Sequence, residues 1–271
     1  MLAQKKVIEG ESNPVITHYV GDLENLRLKV GKNTIRLQNS LHKFLNQNNY
    51  TDFTLENVKE SIQKISSLTS IDWSQASVKA MEYGININYT TDLFPEDFIR
   101  DRDKPFLIES RKGKIWGTSC FRNDYSLKFY NKTLEYELHR REQIPKNIYR
   151  WEVVVKNMRW IRETMNIPIM ILQDLYKYEN AQFILHDLES KFKKCIKKRI
   201  VNLEHASAGE IRSFSVIQNS EASKAMKLFH KRSFRENDSK KYNSLLAKSC
   251  SDKYQLFEEA IREKCIVLLN S

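Results

Sequence analysis

Three segments of this chain alternate apolar and polar residues with a period of two, which commits them to a sheet with one dry face and one polar face. In Val78 to Tyr89, Met81, Tyr83, Ile85 and Ile87 form the apolar set, and Glu82, Asn86 and Asn88 the polar one. In Tyr125 to Lys132, Tyr125, Leu127 and Phe129 oppose Lys128, Tyr130 and Lys132. In Ile148 to Lys156, Trp151, Val153 and Val155 oppose Arg150, Glu152 and Lys156. Successive side chains of a strand leave on opposite faces, so residues of equal parity share a face. Leu23 to Val30 and Thr34 to His42 carry the same alternation around Gly31-Lys32-Asn33 and predict a hairpin. Its parity sets Arg36, Gln38 and His42 against Ile35, Leu37 and Leu41.

Helical spacing takes over elsewhere. Leu55, Val58, Ile62, Ile65 and Leu68 recur on one helical face behind Thr54, whose hydroxyl can cap the first turn. From about Asn166 onward amphipathic helices are expected, with Phe183, Ile184, Leu188 and Phe192 on one apolar stripe and Leu256, Phe257, Ala260, Ile261 and Cys265 on another. Ser233 to Ser251 is polar enough to read as a loose linker. The predicted fold class is α+β, an antiparallel sheet with helices packed on one face, followed by a mainly helical C-terminal region. Residues 1–160 are expected to form one domain and residues 161–271 a separate helical region.

Charge narrows the partner. Across 271 residues the formal net charge is +11, a surplus that favours a polyanion, because Lys and Arg gain affinity by releasing counterions from phosphates. Only 7 glycines are present and no Gly-rich phosphate loop occurs, which argues against a nucleotide-driven motor. Cys120, Cys195, Cys250 and Cys265 lie far apart without zinc-ligand spacing and read as free thiols. No apolar run approaches the roughly 20 residues that cross a bilayer, and the start lacks the apolar stretch of a secretory signal. The expected compartment is the cytoplasm, with no membrane partner.

If the strands are neighbours, the polar face gathers His42, Glu82, Tyr130, Lys132, Arg150 and Glu152. Such a set suits phosphodiester chemistry. Glu82 and Glu152, with His42 as a third candidate, could hold a hard divalent ion, Mg²⁺ or Mn²⁺, through oxygen ligands. Tyr130 is the expected nucleophile and Lys132 its assistant, lowering the phenol pKa or neutralising phosphate charge. Tyr125 is the alternative nucleophile, although its parity with Leu127 and Phe129 places it on the apolar side.

At these same residues the chain resembles the replication initiators of rolling-circle plasmids and filamentous phages, including the phage gene II type and its Bacteroidetes-type relatives. The matching strings are Ser40-Leu41-His42-Lys43-Phe44, Glu82-Tyr83-Gly84-Ile85-Asn86-Ile87, Leu127-Lys128-Phe129-Tyr130-Asn131-Lys132 and Tyr149-Arg150-Trp151-Glu152-Val153-Val154-Val155-Lys156, in that order. The resemblance implies that Tyr130 forms a 5′-phosphotyrosyl link and frees a 3′-OH primer, with Lys132 assisting and Glu82 and Glu152 as metal ligands. Many relatives carry Asp at the positions of Glu82 and Asn131. The implied partner is origin DNA, single-stranded or cruciform, with a host helicase as a further candidate.

The expected roles are then a catalytic nicking domain for residues 1–160 and a DNA-binding or assembly region for residues 161–271. The rest of the DNA contact is expected from Lys128 and Arg150 on the sheet and from Lys193, Lys194, Lys197, Lys198 and Arg199, which with Lys191 crowd onto what reads as about three turns of one helix. Lys227, Lys231, Arg232 and Arg235 form a second basic group. Two other readings stand beside strand nicking at an origin. One is a mobilisation relaxase of an integrative element, which runs the same chemistry; the other is a non-catalytic DNA-binding regulator on the same fold.

Overall fold

A computed structural model of the chain describes residues 18–90, 93–140, 142–144, 147–198, 203–248 and 253–270. It divides into two compact units. The first comprises the described residues of Met1–Ser77 with Ile171–Tyr178, the second those of Val78–Met170 with Glu179–Asn270.

In the first unit β1 (His18–Leu23), β2 (Leu26–Gly31) and β3 (Ile35–Gln38) form an antiparallel sheet in that order. The hairpin expected from alternation is β2–β3, closed by Gly31 N–H donating to the Thr34 carbonyl at 2.8 Å. Its second strand is shorter than the pattern suggested. Asn39 takes a left-handed φ of 91°, and Ser40 then caps the helix α1 (Leu41–Asn46), accepting from Lys43 N–H. His42 therefore lies on a helix, and strand parity does not apply to it. Helix α2 (Leu55–Thr69) starts where expected: Thr54 Oγ1 accepts from Asn57 N–H, and Asn57 Oδ1 accepts from Thr54 N–H. Leu26, Leu28, Phe44, Ile62, Ile65 and Trp73 form this unit's core.

The second unit begins with β4 (Met81–Asn88), followed by β5 (Phe98–Asp101), β6 (Lys104–Pro105), β7 (Leu107–Arg111), β8 (Lys114–Phe121) and β9 (Tyr125–Asn131). Helix α3 (Lys132–Arg140) and strand β10 (Ile148–Val155) come next, then α4 (Met158–Met165), α5 (Tyr178–Lys194) and β11 (Ile196–Lys197). Helices α6 (Ala208–Gln218), α7 (Ser220–Phe229), α8 (Lys231–Ser233), α9 (Ser239–Lys248) and α10 (Lys253–Leu269) complete it. Five strands pair antiparallel in the order β4-β10-β9-β8-β7, so the three alternating segments are indeed neighbours, with β10 between β4 and β9. A small sheet, β11-β5-β6, shares no strand pairing with them, although Phe98 of β5 packs against Phe129 of β9.

The protein is thus α+β with a helical C-terminal region. Ile85, Leu127, Phe129, Trp151 and Val153 form the dry face, covered by Leu188 and Phe192 of α5 and by Phe257 and Ile261 of α10. Each such side chain contributes about 1.5–3 kcal/mol by leaving water. The Trp151 indole N–H is satisfied by the Leu188 carbonyl at 3.0 Å.

That arrangement corrects the expected boundary near residue 160. The sheet's apolar face has to be covered, and the cover comes from helices late in the sequence, so sheet and C-terminal helices belong to one unit. The loose linker expected at Ser233 to Ser251 is also corrected: α8 runs through a π turn (Phe234–Asp238) into α9, and Phe234, Tyr242 and Leu245 are buried. Cys120, Cys195 and Cys265 are buried free thiols, while Cys250 lies outside the described residues. Among the described residues no helix is long and apolar enough to cross a membrane.

Candidate active site

The polar face of the five-stranded sheet is assembled by register. Tyr130 on β9 pairs with Arg150 on β10, and Arg150 pairs with Asn86 on β4. One step along, Lys128 pairs with Glu152, and Glu152 with Gly84. All of these side chains share one face. Tyr130 Oη donates to Glu152 Oε2 at 3.1 Å, and Arg150 Nε donates to the same oxygen at 2.6 Å. Arg150 Nη1 reaches Asn86 Oδ1 at 3.1 Å. Lys128 Nζ stands 3.1 Å from Glu152 Oε1 and 3.9 Å from Glu82 Oε2.

Two glycines make room for this cluster. A Cβ on Gly84 would lie 2.5 Å from the Cβ of Glu152 and 2.6 Å from the Trp151 carbonyl oxygen; one on Gly117 would lie 2.8 Å from the Cβ of Tyr130. Neither clash is with the far end of a flexible side chain, so both glycines are required by close approach. Gly117 faces Tyr130 from β8, where Ser119 is hydrogen-bonded to Glu109 of β7. This part of the face was not legible in sequence, because Gly117, Thr118 and Ser119 blur the apolar–polar alternation of β8.

Burial sets the electrostatics. Glu152 is 2% exposed and Tyr130 7%. Burial alone would raise the Glu152 carboxyl, but the charges and hydrogen bonds of Arg150 and Lys128 outweigh it and hold the carboxyl below the usual glutamate range. Burial and then the Glu152 charge push Tyr130 well above the ordinary phenol value. Partial burial and Glu152 likewise push up Glu82, whose side chain is 46% exposed. The site therefore presents a protonated phenol against an ionised carboxylate, with two cations beside them.

Tyr130, Glu152, Glu82, Arg150 and Lys128 are thus brought together as the alternation implied. Lys132 is placed differently. It opens α3 instead of ending the strand, is buried, and binds Glu135 Oε2 at 2.9 Å, with its ammonium 5.4 Å from the centre of the Tyr130 ring. Its ammonium also lies 4.9 Å from the centre of the Tyr136 ring, and burial, partly offset by Glu135, lowers its pKa.

His42 sits on α1 in the first unit, with Nε2 3.1 Å from Thr51 Oγ1 and its ring stacked on Phe53. Tyr125 lies on the opposite face, donating to Asp101 Oδ2 at 2.8 Å and bordering a cavity of about 640 Å³ that Trp160 and Lys191 also line.

The basic run does not form one helical face. Helix α5 stops at Lys194 and the chain turns into β11. Lys193, Lys194 and Lys198 are exposed, while Lys197 is fully buried, donating to the Phe192 carbonyl at 2.6 Å and standing 3.4 Å from Glu258. Lys191 is buried against Asp187. Arg199 lies outside the described residues.

The residues in place do not fit a resident divalent ion. Glu152 Oε2 is taken by Arg150 and Tyr130, and Oε1 by Lys128, so an ion could bind there only by displacing a cation already paired. Among the described residues no group of three His, Cys, Asp or Glu side chains is placed to hold a metal.

The chain matches no protein-family model, no curated protein and no solved structure.

Proposed function

We propose that this protein cleaves and rejoins a DNA strand through a covalent phosphotyrosine at Tyr130, the reaction that starts rolling-circle replication in the initiators its strands resemble. The observation that carries the reading is the hydrogen bond from the Tyr130 phenol to the ionised Glu152, with Arg150 on the same carboxylate oxygen. A phenol whose pKa is raised is a poor nucleophile by itself and needs a proton acceptor within hydrogen-bond reach; Glu152 is the one in place, its basicity lowered by Arg150 and Lys128, whose hold on it loosens as they turn to the phosphate. Tyr130 Oη forms the bond to phosphorus and gives its proton to Glu152. The bond from phosphorus to the 3′ oxygen breaks; that oxygen leaves with the electron pair and takes a proton from water, and Glu152 returns the phenol's proton to the resulting hydroxide. The reverse reaction rejoins the strand. The net charge of +11 supports a polyanionic substrate.

The test is incubation of the full chain with Mg²⁺ and a pool of random-sequence single-stranded oligonucleotides labelled at the 3′ end. Denaturing electrophoresis should show labelled protein, and peptide mapping should place the DNA on Tyr130. Label that persists in Tyr130→Phe would overturn the assignment.

A second reading draws on the burial of Tyr130 and on the pairing of both Glu152 oxygens: a DNA-binding protein in which this network only ties strands together. It predicts salt-sensitive retention of the same oligonucleotides with no covalent label under any condition.

A further inference from the structure

The two carboxylates expected to ligate an ion, Glu82 and Glu152, instead face one ammonium. Lys128 Nζ is 3.1 Å from Glu152 and 3.9 Å from Glu82, on a side chain 34% exposed. We propose that Lys128 occupies the place of a divalent ion, and that strand transfer at Tyr130 proceeds without a bound metal. The inference rests on the strand-transfer reading above.

Charge balance argues for it. Glu82, Glu152 and Glu109, whose charge also acts on Lys128, bring three negative charges, and Lys128 and Arg150 bring two positive ones, all on the same sheet face, so a further divalent ion would tip the balance to positive. Seating a divalent ion beside both cations would leave an excess of positive charge in a largely buried site, which is costly. Position argues for it as well. Lys128 precedes Tyr130 by two residues on one strand, so both side chains leave the same face, and both contact Glu152. A phosphodiester approached by the phenol comes within the field of the ammonium. Lys128 stays protonated there: burial lowers its pKa, but Glu152 and Glu82 outweigh that and raise it. It is not consumed in the reaction, since it donates hydrogen bonds to a non-bridging phosphate oxygen as negative charge accumulates.

Two measurements on the full chain decide it. The first is the rate of covalent labelling by the oligonucleotide pool in EDTA and in Mg²⁺. The second is Mn²⁺ binding by electron paramagnetic resonance, with no DNA present. The wild-type chain should label at nearly equal rates in both buffers and take up no Mn²⁺. Lys128→Ala should lose about 100-fold in labelling rate in EDTA, and should bind Mn²⁺ through the two carboxylates it frees. Labelling that needs Mg²⁺, or Mn²⁺ uptake by the wild-type chain, overturns the inference and leaves the strand-transfer reading standing. No labelling in either buffer overturns that reading, and the inference with it.

Discussion

The Tyr130 phenol and the Glu152 carboxylate are diagonal neighbours across β9 and β10, 3.1 Å apart, although Tyr130 is in register with Arg150 and Glu152 with Lys128. The diagonal contact arises because Arg150 binds the same carboxylate oxygen from its own strand and draws it toward Tyr130. One carboxylate thus orders the proposed nucleophile and two cations.

Removing that carboxylate should be expensive in two ways. Glu152→Gln leaves Arg150 buried without its charged partner, so urea denaturation should show a loss of about 3–5 kcal/mol. In the fraction that folds, covalent labelling should fall by about 100-fold or more for want of a base.

Tyr130→Phe should behave differently. It removes one hydroxyl while Glu152 keeps Arg150 and Lys128, so the stability change should be about 1 kcal/mol. Labelling should vanish, whereas Tyr125→Phe, on the other face, should label as the wild type does.

Gly84→Ala tests the packing under the site. The added methyl would meet the Glu152 Cβ and the Trp151 carbonyl at 2.5–2.6 Å, so strand β4 or β10 has to shift. A cost of about 1–3 kcal/mol is expected, together with a fall in labelling rate, both read on the same preparation.

Stability should also fall in alkali. Tyr83, Tyr125 and Tyr130 all have pKa values raised above the ordinary 10.0, first of all by burial. Above about pH 10 an unfolded chain ionises these phenols while the folded chain keeps them protonated. The folded state then binds more protons, so stability is full below that pH and is lost as pH rises. Urea midpoints at about pH 9 and about pH 11 should differ, and Tyr130→Phe should narrow the difference. For Glu152 the sign is opposite. Its pKa is depressed from 4.5, so its contribution is present above that value and is lost as pH falls through the lower folded one.

His42→Ala should leave covalent labelling intact. His42 packs on Phe53 and bonds Thr51 within the first unit, so its loss should appear as a lower melting temperature.

Alternation in three segments determined the essentials of the polar face, because strand side chains have a fixed period and a long, strict pattern leaves no other way to bury Leu127, Phe129, Trp151 and Val153 together. Thr54 marked its helix for an equally local reason, a hydroxyl satisfying free N–H groups at a chain end. What the sequence could not decide was anything set by a partner distant along the chain. The end of β3 depends on a left-handed turn at Asn39, so His42 passed from the predicted sheet to a helix. The sheet's cover comes from α5 and α10, which placed the boundary after Ser77 and not near residue 160. Lys197 reads as one more surface cation until β11 turns it inward to the Phe192 carbonyl. Lys128 reads in the sequence only as a phosphate contact, and the register adds Glu82 and Glu152 beside it, because a side chain's charge is written in the sequence and its counter-charge is chosen by the fold.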